Sequence, residues 1–535
     1  MPVLPSPVYA REKRRSPHEQ PRCQVIRLGF RQSVRLAIAL VLVALSSAAT
    51  AATAERIVVG LSGRGTLIEG TVIEAGKRSA PTVILIGGLN ADKETVSSVR
   101  AEAKAFEATP AARRPFRLIA IPLANPDGAA LQFPPTGVAY RDYAESNVLW
   151  RWLGVHGPDL VIVVGSDEVG LAAALSQQRV AEVGRIPARD AAPKPGLLST
   201  IIGPPARSEA HTELDRRRAR SPRQLAEELA QYYGRDFDQP WYIQAVALIG
   251  QLRLGHLEEV KRLAEPYVDG SKDSLARPNS LVLAGHIVFT ELARRTGDPR
   301  YVKLVQRVAD LGFDADGKMK ESMPYHEEYS DSVFMGTTIV AQAGALTGER
   351  KYFDMAARHV AFMQRLVLRP DGLYRHQPLT DAAWGRGNAF PALGLALTLA
   401  DFPRNHPAYR ELLSSYRQLM QALAGYQDPD GLWRNVIDYP GAYPEYTATA
   451  MIGFSMLRGV REGWLSKRKF QPLVDKAWQA ILARSGANGH LVDVCESTTR
   501  LKSVDEYLHR AAILGPDPRG GAMALLFATE MAGLR

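Results

Sequence analysis

Four times between residues 300 and 490 the chain repeats a pattern that few folds can absorb. An aromatic residue opens an amphipathic run, which closes on an Asp-Gly or Asn-Gly turn. Tyr301 leads toward Asp316-Gly317, Tyr352 toward Asp371-Gly372, Tyr409 toward Asp430-Gly431 and Phe470 toward Asn488-Gly489. The leaders stand 51, 57 and 61 residues apart. Between these runs lie others that are apolar and small throughout, such as "LVLAGHIVFTELA", "VFMGTTIVAQAGAL", "FPALGLALTLA" and "ATAMIGFSMLRGV". A helix that is apolar all round has to be buried, whereas an amphipathic one can cover it from outside. Alternating the two at this period predicts concentric rings of helices, an all-α (α/α)6 toroid over residues 224–535. An open solenoid is the other way to stack such pairs, but the regular return of the turn favours closure around a central cavity.

The region in front is patterned differently. "RIVVGLS", "TVILIGGL", "FRLIAIPL" and "DLVIVVGS" are short β-branched runs ending in turn residues, with helical stretches such as "ETVSSVRAEAKAFEA" between them. That alternation predicts an α/β domain with a largely parallel sheet over residues 55–185. A chain of 535 residues exceeds what one core usually supports, so a multidomain protein is expected. Residues 186–223 are rich in proline and arginine and lack periodicity, and are read as a linker.

The net charge of +10 is concentrated at the start. Residues 1–54 hold eight Lys/Arg against two Asp/Glu, leaving only +4 for the rest, which does not argue for nucleic-acid binding. Leu36–Leu45 is a run of ten apolar residues after Arg31 and Arg35, followed by small residues suited to cleavage near Ala51 or Ala54. Together these make a secretory signal peptide, too short for a lasting membrane span, and predict a periplasmic or secreted protein. Cys23 leaves with the leader and Cys495 stays alone, so no intramolecular disulfide is expected in the mature chain.

In a closed toroid the turns that approach the inner helices face the cavity. Asp331, in "EEYSDSVFMGTTIV", sits at one such start and reads either as a helix cap or as a site acid. His376 follows the turn "DGLYRH", and Trp384 and Arg386 lie in "WGRGN" ahead of "PALGLALTLA". Glu445 opens "EYTATAMIGF", where a capping role and a site role are again both open.

In this order, these motifs, with "DPDGLW" and the closing "CESTTRLKSVDEYLHR" and "DPRGGAMALLFATEM", resemble the unsaturated rhamnogalacturonyl and glucuronyl hydrolases of glycoside hydrolase families 105 and 88. The resemblance covers roughly residues 225–535 and implies an (α/α)6 barrel that needs no metal or cofactor. It also implies a substrate: oligosaccharides, left by polysaccharide lyases, that end in a 4,5-unsaturated uronic acid. Such a sugar is an enol ether, so one acid that protonates C4 and then helps to deprotonate water can replace the usual pair of carboxylates. The family's general acid/base opens a D-x-x-F-M motif, which implies Asp331. His376 and Arg386 are then expected to orient hydroxyl and uronate groups, and Trp384 to form a stacking wall. Related enzymes carry another aspartate about fifty residues earlier; here Asn279 stands near that place. The family's W-x-R-G-N-G-W ends here in Ala389-Phe390.

The front strands "IGGLNADKE", "IPLANPDG" and "DLVIVVGS" resemble zinc carboxypeptidases and related deacylases. Asn90, Lys93 and Gly165 occupy the places of the zinc ligands, so the resemblance implies a metal-free remnant. The chain as a whole is expected to be an exported unsaturated uronyl hydrolase acting on a uronic-acid-containing oligosaccharide. A non-catalytic saccharide-binding protein on the same toroid is the alternative.

Overall fold

Residues 54–534 are described by a computed structural model of the protein. The expected leader, its cleavage site near Ala51 and Cys23 lie outside the described residues. Among the described residues no helix is long and apolar enough to cross a membrane.

The α/β part is a mixed sheet with strand order β1-β2-β4-β3-β5-β6. Its strands are β1 (Glu55–Leu61), β2 (Leu67–Ile73), β3 (Thr82–Ile86), β4 (Arg117–Ile121), β5 (Leu160–Val164) and β6 (Ala188–Ala191). β1, β2 and β4 pair antiparallel, while β4, β3, β5 and β6 run parallel. The central strands are unbroken apolar runs because both faces are covered. On one face Val83, Leu85 and Ile162 pack with Val99 and Phe106 of α1 (Lys93–Ala108). On the other, Ile84, Ile86 and Val163 pack with Leu149 and Leu153 of α2 (Ala144–His156). That second core also takes in Trp384, Tyr443, Cys495 and Tyr507 from the helical part. The two parts therefore share a core, and Ala52–Arg535 forms one compact unit.

The segment 186–223, read from sequence as a linker, is built into the fold. It follows α3 (Leu171–Gln177) and supplies β6, α4 (Glu209–Arg218) and the start of α5 (Pro222–Ala230). Its arginines are the reason. Arg217 donates to Ala483 O at 3.1 Å and Glu182 O at 2.7 Å, and Arg220 to Leu482 O at 2.8 Å and Ser485 O at 2.6 Å. Ala483, Leu482 and Ser485 lie at the end of a later helix, where carbonyls no longer have partners within the helix.

The helical part is two-layered. Its inner helices are α6 (Tyr242–Arg253), the broken pair α8 (Ser280–Gly285) and α9 (Ile287–Thr296), a second broken pair α11 (Ser332–Met335) and α12 (Thr337–Thr347), then α14 (Gly385–Asp401), α16 (Tyr446–Arg461) and α19 (Pro518–Met531). The outer ones are α5, α7 (Leu257–Val268), α10 (Pro299–Ala309), α13 (Arg350–Val367), α15 (Tyr409–Ala424) and α17 (Lys467–Arg484). The inner helices are the apolar runs of the sequence and are buried on nearly every side; α14 alone buries Gly385 to Ala396 without a break. The last helix, α19, packs against α6 and α5, bringing the end of the chain onto the start of the helical array. The recurring Asx-Gly turns put Gly317, Gly372, Gly431 and Gly489 at φ between +70° and +93°, which glycine adopts without strain.

Short strands finish the fold: β7 (Trp433–Arg434) with β8 (Pro444–Glu445), and β9 (His490–Cys495) with β10 (Ala512–Pro516), the last two flanking α18 (Val504–Leu508). One close approach between inner helices depends on a glycine. A Cβ on Gly394 of α14 would stand 2.5 Å from Val333 O and 2.6 Å from Phe334 Cα, so only glycine lets α14 lie against the backbone of α11. This contact sets the position of the turn that carries Asp331.

Candidate active site

A cavity of about 650 Å³ opens where the inner helices begin. It gathers Trp241 and Tyr242 at the start of α6, Asn279 before α8, Asp331 before α11, His376 and Trp384 from the approach to α14, Arg386 from its first turn, and Arg519 of α19. Asp331, His376, Trp384, Arg386 and Asn279, singled out in the sequence, are thus brought together; Glu445 is not among the lining residues.

Asp331 sits at the N-terminal end of α11 but makes no capping bond, so the capping reading of this residue fails. The backbone leading to it is strained, with Tyr325, Glu327 and Glu328 all at positive φ. Two groups hold this loop. Arg500 donates to Glu327 O at 2.9 Å. The buried His359 accepts from Met323 N–H at 3.2 Å and bonds Ser332 O at 3.0 Å through Nε2. Burial pushes the His359 imidazole down to about 4, so this tie stays neutral.

The Asp331 carboxyl is 22% open to the cavity, while its Oδ1 is out of contact with water and has no hydrogen-bond partner. Burial raises its pKa to about 7, against the pull of the Arg386 cation. His376 Nε2 lies 3.7 Å from Asp331 Oδ1. This is not an ion pair, because burial and the Arg386 charge push the imidazole down to about 3. His376 is fixed by Tyr507, whose hydroxyl meets Nδ1 at 2.8 Å, and by the Tyr329 ring stacked at 4.7 Å.

Arg386 is the fixed cation of the site. A guanidinium in the first turn of α14 opposes the helix dipole, so it needs other support. It donates to Cys495 O at 3.0 Å and Glu496 O at 2.9 Å, and its Cζ lies 4.8 Å from the Trp384 ring. Its Nε is buried without a partner. The cavity therefore combines a carboxyl that holds its proton near neutral pH, a neutral imidazole beside it and a permanent positive charge. That set can donate a proton and stabilise negative charge on a ligand, the equipment of acid-catalysed chemistry on an anionic substrate.

Residues 257–534 match Glycosyl Hydrolase Family 88. The chain belongs to that family. As a family 88 glycoside hydrolase, it is 24% identical over 271 residues to an unsaturated rhamnogalacturonyl hydrolase of Bacillus subtilis, covering 47% of this chain and 76% of that one. It is also 24% identical over 251 residues to an unsaturated 3S-rhamnoglycuronyl hydrolase of an Alteromonas species, covering 43% of this chain and 58% of that one. Among solved structures, a possible member of glycoside hydrolase family 105 from Salmonella enterica superposes with a TM-score of 0.51 at 19% identity. It covers 59% of this chain and 95% of its own, a likeness of fold.

The family match begins at residue 257 and lends no support to a zinc carboxypeptidase likeness in the front domain. There Asn90 and Lys93 are exposed around the turn after β3, and Gly165 follows β5.

In this family 88 hydrolase Glu445 takes the capping one of its two open roles and not the site role, and Trp384 differs from its expected role. Glu445 is fully buried: one carboxylate oxygen caps α16 through Ala448 N–H, and the other accepts from Cys495 N–H at 2.9 Å. It is a tie between helix and strand that does not line the cavity, although its charge acts on Arg386. Trp384 is 2% exposed, with Arg386 on its ring, His376 packed edge-on at 4.6 Å and its Nε1 bonded to Asn435 at 3.1 Å. No open face is left for a sugar, so Trp384 is the platform for Arg386. Asn279 lines the cavity and also caps α8, accepting from Val282 N–H at 3.0 Å. Trp241, Tyr329, Tyr507, His359 and Arg519 were not found in the sequence. Of these, Trp241 and Tyr329 are half-buried aromatics that line the cavity; Tyr329 is stacked on His376, and only the place of Trp241 at the start of an inner helix hinted at it.

Proposed function

We propose that the chain removes a terminal 4,5-unsaturated uronic acid from oligosaccharides by hydrating its C4=C5 bond. The observation that carries this reading is Asp331, a carboxyl that faces the cavity, is raised to about 7 and has an unpartnered Oδ1. The names of the Bacillus and Alteromonas relatives support the same substrate class.

Protonated Asp331 delivers its proton to C4 of the enol ether. The cationic centre at C5 is shared with the ring oxygen, and water adds to it while the Asp331 carboxylate takes the water's proton. The resulting C5 hemiketal opens to a 5-ketone and leaves a hemiacetal at C1, which collapses to an aldehyde and releases the rest of the oligosaccharide as an alcohol. One carboxyl acts twice and ends in its starting state. Arg386 supplies the positive charge that draws the uronate carboxylate, and neutral His376 orients a hydroxyl without competing for the proton. Trp241 takes over the wall role first assigned to Trp384. The basic leader favours export, so the substrate would be met outside the cytoplasm.

The test follows the loss of ultraviolet absorption of the C4=C5 bond on a panel of lyase-generated oligosaccharides. Absorbance should decay with the native protein and persist with Asp331→Asn. Binding of panel members without any decay would sink the proposal in favour of a saccharide-binding protein.

A further inference from the structure

A second cavity, of about 830 Å³, lies along the seam between the α/β domain and the helical domain. It is lined by β1 and β2, the ends of α2 and α4, the turn around Asp428 and Asp430, and Arg434 and Arg484. Most of its charges are matched within the chain. Arg117 pairs with Glu74, Arg207 with Asp215, and Asp493 with Arg151. Asp430 meets His156 Nε2 at 3.1 Å, and Asp428 accepts from Leu432 N–H at 3.0 Å.

Four guanidiniums are left over. Among the described residues, no group lies in ion-pairing or hydrogen-bonding contact with the side chains of Arg78, Arg218, Arg434 or Arg484, although the charges of Asp215 and Asp430 act on Arg218 and those of Asp428 and Asp430 on Arg484. Arg484 is the telling one: it is 4% exposed, and its Nε is buried without a partner. Burying a guanidinium without a direct partner is costly. The last turn of α17 offsets only part of that cost through the helix dipole. A small adjoining hollow is lined by Arg484, Arg218, His156 and Asp430, so these groups converge on one place.

The rest of the wall says what kind of anion fits. Trp152 is half-buried in the cavity and stacked on His156 at 4.0 Å, an aromatic surface suited to a sugar ring. Asp428 and Asp430 can accept hydrogen bonds from hydroxyls, which a sugar supplies and inorganic phosphate at neutral pH largely lacks. We propose that this seam is a second, non-catalytic binding site for an acidic saccharide, whose carboxylate is held by Arg484 and Arg218 and whose ring lies against Trp152. The choice of an acidic sugar rests on the proposed function of the first cavity. A chain gripped there is anchored while its end is processed elsewhere on the molecule.

Calorimetric titration with saturated trigalacturonate tests this, because that sugar has no C4=C5 bond and is not consumed. Inorganic phosphate and the neutral maltotriose serve as comparison probes. Trigalacturonate should bind the native protein, and both Arg484→Gln and Arg218→Gln should weaken that binding at least about tenfold, the usual scale for a lost charge-assisted bond. Arg218 is exposed, so its variant keeps the test clear of folding defects. Turnover of an unsaturated disaccharide should stay within about twofold in both variants, since neither residue lines the first cavity. Unchanged affinity in the Arg218→Gln protein overturns the proposal, as does binding of phosphate or maltotriose as tight as that of trigalacturonate. Arginine-dependent binding without turnover would uphold the seam site and refute the reading of the first cavity; turnover without such binding would do the reverse.

Discussion

Asp331→Asn is expected to abolish hydrolysis and, at the same time, to make the fold harder to unfold, the second effect growing with pH. Folded Asp331 titrates at about 7, whereas an aspartate in an unfolded chain titrates near 3.9. Between these values the folded state holds a proton that the unfolded state has released, so stability falls as pH rises from about 4 to about 7 and stays lower beyond it. At about 1.4 kcal/mol per unit, the penalty is small at pH 4, about 1 to 2 kcal/mol at pH 5 and about 4 kcal/mol at pH 7 and above. The 22% opening of the side chain makes these figures ceilings. Asparagine keeps the shape without the titration and so recovers the difference. With an unfolding entropy of about 2.1 cal/mol/K per residue across the described chain, 4 kcal/mol corresponds to about 4 °C. Paired thermal unfolding scans should show the variant ahead by about 2 °C at pH 5 and about 4 °C at pH 8. A lead that does not grow with pH, or a variant that melts earlier than the native protein at pH 8, refutes the description of Asp331 as a desolvated acid.

The same group governs rate: kcat/KM should be level on the acid side and fall about tenfold per unit above about pH 7, as the donor proton is lost. His376 is held neutral down to about 3 and should add no limb near 6.5; finding one there contradicts its assignment. Arg386→Gln removes a cation that lowers the Asp331 pKa, so the alkaline limb should move to higher pH while the rate drops, and an unmoved limb would disprove the coupling. Asn279→Asp keeps an equally good cap for α8 and adds a negative charge to the cavity. Stability should stay within about 0.5 kcal/mol while the limb again shifts upward, both readable from unfolding and pH profiles. Glu445→Ala strands two buried N–H groups and should cost about 3 kcal/mol in denaturant unfolding; unchanged stability would refute its description as a tie.

How much could be read in advance depended on whether a role leaves a local trace. The layering of helices was legible because burial on all sides and burial on one side produce different patterns, and the turns mark the period. His376 was legible because it follows one of the recurring Asx-Gly turns, and Asp331 and Arg386 because each sits at a recurring kind of place, the start of an inner helix. That same place misled for Glu445: a carboxylate ahead of a helix looks alike whether it caps the helix or faces a ligand, and only the Cys495 N–H settles the matter. Trp384 was misjudged because its ring is claimed by a cation two residues away, a pairing that geometry shows and spacing does not. Tyr507 and His359 reach the site from remote segments, and no periodicity announces them. The arginine-rich stretch before residue 223 looked like a tether because the carbonyls it serves lie some 260 residues later, as with Arg220 and Leu482.

One contact across the seam sets a rule for how such a chain can change over time. Asp493, 342 positions after Arg151, accepts from that guanidinium at 2.8 Å and from the Tyr140 hydroxyl at 2.9 Å. Two residues on, Cys495 and its neighbour Glu496 offer the carbonyls that steady Arg386. The orientation of the cavity's cation is thus inherited in part from the front half of the chain. A gene fusion or domain exchange that replaced residues 54–223 without returning an Arg151 and a Tyr140 would leave a buried carboxylate stranded beside that strand. The two halves are therefore bound to be passed on together, as a single evolutionary unit.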